Sequence, residues 1–552
     1  MRSALPPPDR PPAISNARTL SGATSCPHLG HRGDDLNPGR RLAVNTLANW
    51  SGTTVATLSS LLLAPFLLQH LGAERFGLYQ VARQLVAYFL LLNLGIAGSV
   101  VRFTSEAVAA RDHARVNSVI NSAMALYLGV ALAGLIAGLA TGYLAPGFFR
   151  VAPRYVAETH ALIWALGVWW ALGTLTSPAR AILIGQQRYG WINLVMAAGW
   201  LLVLALIVGL FELGHVSLQT VGIAFAGAAA AELCAHLGLV RRLQPSLRWT
   251  LRLTDRRTLR RLCRFGAWNL LFTVSGLFLW WTDNIVIGRL LGPAAVPLYA
   301  LPFMLITLGR VVVTGLSTPL VPLAAAQARE GSGGVAATLV RSTRHAVILT
   351  LASTGLLLVA AEDVFRLWIG PAYASSWLTY ACLWGSFWAV FAQMPAYHIL
   401  LGAGDIRRPA AVVLAATGLA LLVKIAALGW FGQGVLAVAL VNWLCVLPVM
   451  AFYVPRCACQ LARLPLARLY REAYLPPLLA FLPVAALGWL LFERWAPANL
   501  LELGGAFGTL VAGYLAVAFW TTDVAERAAL CRLARQFRDA LGGRRASDRD
   551  GP

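Results

Sequence analysis

Charge is what this sequence has least of, and acid is scarcer than base. Only 12% of its 552 residues are charged, with 23 Asp and Glu against 45 Lys and Arg. A soluble globular enzyme carries about a quarter of its residues charged, so that class is excluded. Lysine is nearly missing: all but one of the 45 basic residues are arginine, and the exception, Lys424, lies inside an apolar stretch. Cysteine is too sparse and scattered for a disulfide scaffold. Cys234, Cys382 and Cys445 fall in apolar stretches, Cys26, Cys263, Cys457, Cys459 and Cys531 in basic segments, and no bridge is expected. Cys457 and Cys459 form a C-x-C with no histidine near enough to complete a zinc site, so no metal or other cofactor is implied. Glu232 and His236, at i and i+4, are read as a helix-helix hydrogen-bonding pair rather than metal ligands.

What the chain has is hydrocarbon: 58% of its residues are hydrophobic and its mean hydropathy is +0.67. A membrane-spanning helix needs about 20 mostly apolar residues. Apolar windows supply fourteen, at 44–71, 77–100, 117–145, 157–184, 191–212, 217–240, 266–290, 295–322, 342–360, 374–402, 410–430, 433–454, 475–492 and 500–521, here called spans one to fourteen. The fold class is therefore an all-α polytopic membrane protein. The net charge of +22 reports topology before partners, since arginine collects in connections on one side: Arg102, Arg111 and Arg115, then nine arginines between Arg241 and Arg264, then Arg407 and Arg408. Opposite connections are short and near neutral, apart from Arg150 and Arg154. Both termini are expected in the cytoplasm, and no nucleic-acid site is implied.

Weak internal symmetry organises the spans. Leu71-Gly72 followed by Leu78-Tyr79 recurs as Leu291-Gly292 followed by Leu298-Tyr299, at an offset of 220. Ile182-Leu183-Ile184-Gly185 recurs as Ile399-Leu400-Leu401-Gly402, offset 217. Asn45, Asn49, Gly52 and Ser59 share one face of span one, and Asn269, Thr273, Gly276 and Asp283 repeat those spacings in span seven at offset 224. Two six-helix lobes with two extra C-terminal helices follow. The divisions are a disordered cytoplasmic tail at 1–42, an N-lobe at 43–240, a basic cytoplasmic linker at 241–265 and a C-lobe at 266–455. A cytoplasmic loop at 456–474, spans thirteen and fourteen at 475–521 and a basic tail at 522–552 complete the chain.

On these residues the chain resembles the polysaccharide transporter family, the O-antigen-type oligosaccharide-lipid flippases of the multidrug/oligosaccharidyl-lipid/polysaccharide exporter superfamily. The likeness rests on Leu71-Gly72 through Gly77-Leu78-Tyr79, Asn93-Leu94-Gly95-Ile96 with Arg102-Phe103, and Asp283-Asn284-Ile285-Val286-Ile287-Gly288. Leu367-Trp368-Ile369-Gly370-Pro371 with Tyr373, and Phe431-Gly432-Gln433-Gly434-Val435-Leu436-Ala437, extend it over about residues 42–520. The resemblance implies a V-shaped pair of lobes around a cavity that opens alternately to each side, with helices one, two, seven and eight lining a lateral portal. It implies a non-enzyme in the bacterial inner membrane that moves a polyprenyl-diphosphate-linked oligosaccharide to the periplasmic leaflet. Membrane lipids, a coupling ion (H+ or Na+), a polysaccharide polymerase and glycosyltransferases are the partners it suggests. A multidrug antiporter, a lipid II-type flippase and, further off, a membrane-embedded glycan polymerase or glycosyltransferase are the competing functions.

Charges inside spans are costly, by about 2.5 to 3.5 kcal/mol each on insertion scales, and Arg83, Asp283, Arg310 and Lys424 stand out. Arg310 sits near the middle of span eight, too deep to snorkel cheaply. Arg83 shares a face with Gln80 and has Gln84 beside it, which suits a wet cavity; Lys424 lies in the outer part of span eleven. These five are the expected cavity residues, a guanidinium gripping phosphate oxygens bidentately and lysine adding a point charge. Snorkelling to headgroups is the alternative for Arg83 and Lys424. Asp283 and Asn284, with Asn45, Asn49 and Asn269, are assigned to a gate or an ion-coupling site. Asp283 is expected to approach Arg83 across the lobes when the outer side is shut; bonding to local backbone is its alternative.

Overall fold

The computed structural model describes residues 38–93, 96–266, 269–330, 332–430, 434–522, 526–528 and 531, with side chains described from residue 52 except at 251, 263–273 and 328–333. Among the described residues every regular element is helical. Eleven helical segments among these residues are long and apolar enough to cross a membrane. The remaining three of the fourteen spans are not counted separately. Span two continues from span one in the helix Pro38–Ala87, span seven is divided into Asn269–Trp280 and Asp283–Leu290, and span ten into Ser376–Ala392 and Met394–Ala403. In hydrocarbon every backbone group must be satisfied within the chain, and helices achieve that span by span. Polar caps start several of them: Asp112 accepts from the Arg115 amide, Ser217 from Thr220, and Asn499 from Leu501 and Glu502.

The repeat reads directly in the backbone. Pro38–Ala87 changes direction at Gly72 (φ 77°, ψ 170°), and Gly292, 220 residues on, has nearly the same angles (φ 91°, ψ 158°). Side chains rarely tolerate that conformation, so both Leu-Gly pairs need their glycine. The second repeated motif also keeps its place. A Cβ on Gly185 would lie 3.4 Å from the Cα of Ser105 at the end of span two, and one on Gly402 would lie 2.3 Å from the carbonyl oxygen of Val321 at the end of span eight. Spans four and ten therefore end against the equivalent partners in the two lobes.

Spans thirteen and fourteen are added to the C-lobe rather than to the interface. Gly488 packs on Val359 of the span-nine segment and on Leu510, and Tyr514 donates to the Pro477 carbonyl (3.3 Å). Arg344 and Glu526, both almost fully buried, pair at 3.1 Å and tie the end of span fourteen to span nine.

The lobes meet on the side of the two glycine turns. A Cβ on Gly77 would lie only 1.8 Å from the carbonyl oxygen of Pro293, and one on Gly288 would lie 2.8 Å from Cγ2 of Val81. Trp368 donates to the Leu61 carbonyl across the same interface (3.0 Å). Deeper in, span two loses α geometry over Tyr88–Asn93, where it forms a 3-10 turn, and span seven breaks at Trp281-Thr282. The two interruptions face each other, and the Tyr88 and Thr282 hydroxyls are hydrogen-bonded between the lobes.

Candidate functional site

Between the lobes, beneath the contact at Gly77, lies a cavity of ≈ 220 Å³. Spans one, two and five line it from the N-lobe and spans seven and eight from the C-lobe. Five of the residues expected at functional positions come together here: Gln80, Arg83, Gln84, Asn284 and Arg310. The Arg83 guanidinium donates to the Tyr79 hydroxyl (3.2 Å) and lies over the rings of Tyr79 and Phe225, at 5.7 and 5.8 Å from their centroids. Arg310 lies over Trp280 at 4.9 Å. Aromatic faces hold a guanidinium by its charge without neutralising it. Among the described residues neither arginine belongs to an ion pair. Gln84 Oε1 and Asn284 Oδ1 are buried without a hydrogen-bond partner. The site thus holds two cations without counter-charge and two amide acceptors without donors, an arrangement that a hydrated anion with hydroxyl groups would complete.

Lys424 and Asp283 are placed differently from the expectation. Lys424 is absent from the cavity wall, and Asp283 forms no ion pair with Arg83. Instead Lys424 Nζ and Asp283 Oδ1 pair at 2.6 Å, with side chains 3% and 6% exposed, inside the C-lobe between spans eleven and seven. The physical reason is proximity in one lobe: span eleven packs on both halves of span seven, whereas Arg83 is already held by Tyr79 on its own helix. The Tyr299 hydroxyl donates to the other carboxylate oxygen, and buried Asn442 lies beside it. Asp283 also opens the second half of span seven, where helix N-terminal amides favour negative charge. The side chains of Asn45, Asn49 and Asn269 lie outside the described residues.

Several residues of the site were not singled out from the sequence. Trp200, Trp280 and Trp281 give the cavity three indole faces, and Thr57, Ser60 and Thr307 add hydroxyls. The adjacent Trp280-Trp281 in mid-span was the available signal, because interfacial tryptophans belong near span ends. Tyr299 carried a signal too, as the repeat partner of Tyr79: each tyrosine engages the charge of its own lobe, Arg83 in one and Asp283 in the other.

The pattern of the polysaccharide biosynthesis protein family matches residues 42–327. The chain is 22% identical over 379 residues to the membrane protein EpsK of Bacillus subtilis, covering 68% of this chain and 74% of that one. It is 22% identical over 258 residues to a candidate O-antigen transporter of Shigella flexneri, covering 47% and 60%. Among solved structures, the lipid II flippase MurJ in an inward closed conformation superposes with a TM-score of 0.63 at 11% identity, over 87% of this chain and 98% of that one. An inward-facing multidrug MATE transporter of the MOP superfamily gives 0.60 at 16% identity, over 76% and 99%. These structural likenesses establish the fold.

Proposed function

The chain belongs to the polysaccharide biosynthesis protein family, and we propose that within it the protein is a flippase carrying a polyprenyl-diphosphate-linked oligosaccharide from the cytoplasmic to the periplasmic leaflet. The observation that carries this reading is the pair of arginines without counter-charge, Arg83 and Arg310, contributed by opposite lobes to one cavity. A diphosphate offers both of them oxygens for bidentate bonds, each charge-assisted bond worth about 1.5 to 3 kcal/mol. The indoles of Trp200, Trp280 and Trp281 supply flat apolar faces for the C–H faces of sugar rings, and Gln84 and Asn284 supply acceptors for their hydroxyls. A cationic cavity repels the organic cations that a multidrug antiporter would favour. At ≈ 220 Å³ the cavity is smaller than the range of about 300 to 1,000 Å³ typical of pockets for drug-sized ligands. Loading an oligosaccharide therefore requires the lobes to part, and because the lobes touch at Gly77 and Pro293 on the side this reading makes periplasmic, loading is assigned to the opposite, cytoplasmic side. Both termini lie in the cytoplasm in this reading.

The buried Lys424–Asp283 pair is the element assigned to ion coupling. The lysine ammonium occupies the place a bound cation would take beside the carboxylate, so a proton rather than sodium is the ion this pair can exchange. Asn284, the next residue, lines the cavity, and Thr282, the preceding one, bonds Tyr88 of the other lobe. A change of charge at Asp283 therefore reaches both substrate and lobe contact within one residue.

Purified protein in proteoliposomes, given a fluorescent polyprenyl-diphosphate glycan, tests the reading. Arg310→Gln and Arg83→Gln should each weaken substrate binding roughly 10- to 150-fold, the equivalent of one lost charge-assisted bond. Flipping that survives unchanged in the double variant refutes the reading, and preference for lipid II over a non-peptidyl glycan assigns the cargo to peptidoglycan synthesis.

A further inference from the structure

The segment joining the lobes is held more firmly than a topology signal requires. Span three lends it three polar side chains. Asn117 accepts from the Arg248 amide (2.7 Å) and donates to the Ser246 carbonyl (3.1 Å), and Asn121 accepts from the Thr250 amide (2.8 Å) and donates to the Arg248 carbonyl (2.8 Å). Ser122 accepts from the Asp255 amide (3.0 Å). The strapped segment delivers the chain into the helix Arg256–Gly266. Asp255 closes its N-terminus, accepting from the amides of Thr258 (2.9 Å) and Arg257 (3.2 Å) and from the Thr258 hydroxyl (2.8 Å). Those bonds hold the Asp255 carboxyl below the usual carboxylate range.

This short helix has two unlike faces. Leu262 is 0% exposed, packed with Ile96, Val100 and Tyr127 of the N-lobe, and the Ser99 hydroxyl donates to its carbonyl (3.1 Å). On the other side Arg256, Arg257, Arg260 and Arg261 are all exposed and gather round one recess of ≈ 380 Å³. Among the described residues none of the four is in an ion pair, and both oxygens of Asp255, the acid next to them in sequence, are engaged in the cap. Positive charge in a loose loop would suffice to orient the protein. Four arginines fixed on one face at the ends of membrane spans form a surface complementary to anions.

We propose that the outward face of Arg256–Gly266 binds the phosphate headgroups of anionic glycerophospholipids in the leaflet it borders. The occupant follows from position and charge. The helix starts beside Ser122, near the beginning of span three, and is anchored by an apolar residue on Val100 at the end of span two, close to the level at which headgroups lie, and guanidinium forks match phosphate oxygens bidentately. The chain passes from this helix into span seven, so a bound headgroup fixes where the first cavity-lining span of the C-lobe enters the bilayer. The proposal goes beyond the flippase reading and does not depend on its cargo.

Native mass spectrometry of the full-length protein, titrated in neutral detergent with phosphatidylglycerol or phosphatidylcholine, tests it. The unaltered chain should retain phosphatidylglycerol at concentrations about tenfold or more below those needed for phosphatidylcholine. Replacing Arg256, Arg257, Arg260 and Arg261 together by Gln should bring the two lipids to parity, while replacing all four by Lys should preserve most of the preference; thermal melting of each variant monitors folding. Three results overturn the proposal: no preference in the unaltered chain, an undiminished preference in the folded Gln variant, or a face that takes up a prenyl diphosphate but not phosphatidylglycerol.

Discussion

Adding one methyl group at Gly77 should force the lobes apart. The Cβ of Gly77→Ala would lie 1.8 Å from the Pro293 carbonyl oxygen, where real Cβ atoms keep at least 3.0 Å. The obstructing atom is backbone, so no rotamer change relieves the clash, and the lobes must separate locally by about 1 Å in an interior with little free space. Overpacking of this kind costs about 1 to 3 kcal/mol. Because only the conformer with Gly77 on Pro293 meets the clash, the whole penalty bears on the equilibrium between closed and open, shifting it roughly 5- to 150-fold. Alanine also improves helix propensity, by up to about 1 kcal/mol, but equally in both conformers. Gly98→Ala supplies the control, since a Cβ there meets nothing within 4 Å. Spin labels at the exposed positions His70 and Ala294, one on each lobe beside the glycine turns, would report the separation in reconstituted protein by pulsed dipolar spectroscopy. The distribution should move to longer distances in Gly77→Ala and stay in place in Gly98→Ala, with transport slowed in the first alone. Matching distributions in the two folded variants would refute the assignment of Gly77 and Pro293 as the closing contact.

The remaining predictions concern charge and topology. Asp283→Asn leaves Lys424 buried without a counter-charge and should destabilise the protein by about 3 to 5 kcal/mol in a thermal unfolding assay, with Lys424→Met in the same background recovering much of the loss; a single substitution that leaves the melting temperature unchanged would remove the pair from the account of stability. Reporter fusions at Ala110, Gln244, Gly333 and Arg544 should report cytoplasm and those at Ala73, Gly214 and Pro371 periplasm, and inversion at two sites would sink the orientation.

The spans were legible because hydropathy and length suffice for helices that cross a membrane, and the two glycine turns because Leu-Gly punctuates otherwise unbroken apolar runs. The interruption of span ten had a sequence cause in Pro395 just past the break. Those of spans two and seven had none: neither Tyr88–Asn93 nor Trp281-Thr282 contains proline. Both coincide with a tertiary contact, the meeting of Tyr88 and Thr282 across the lobes, and a single chain read in order does not reveal it. The same holds for Asn117 and Asn121. Their i, i+4 spacing marks a polar face on span three, but the linker backbone that satisfies them lies about 130 residues away in sequence.

The pairing of Asp283 shows what the sequence leaves open in a helical membrane protein. Position along a span gives depth, and by depth Arg83 and Lys424 were both admissible partners. Angle around the bundle decides between them, and it is set by packing. The outcome explains why the chain keeps its one lysine there. Arginine would bring five donors in a rigid plane to a buried site, and the Asp283 carboxylate already accepts from Tyr299. The ammonium of lysine is compact, and its charge is balanced at 2.6 Å by the oxygen that remains. In the cavity the proposed function reverses the preference, because there the fork would face a ligand rather than a fixed acid. On the proposed flippase reading, arginine at positions 83 and 310 and lysine at 424 thus separate two tasks that share one sign of charge: holding an anion that comes and goes, and neutralising one that stays.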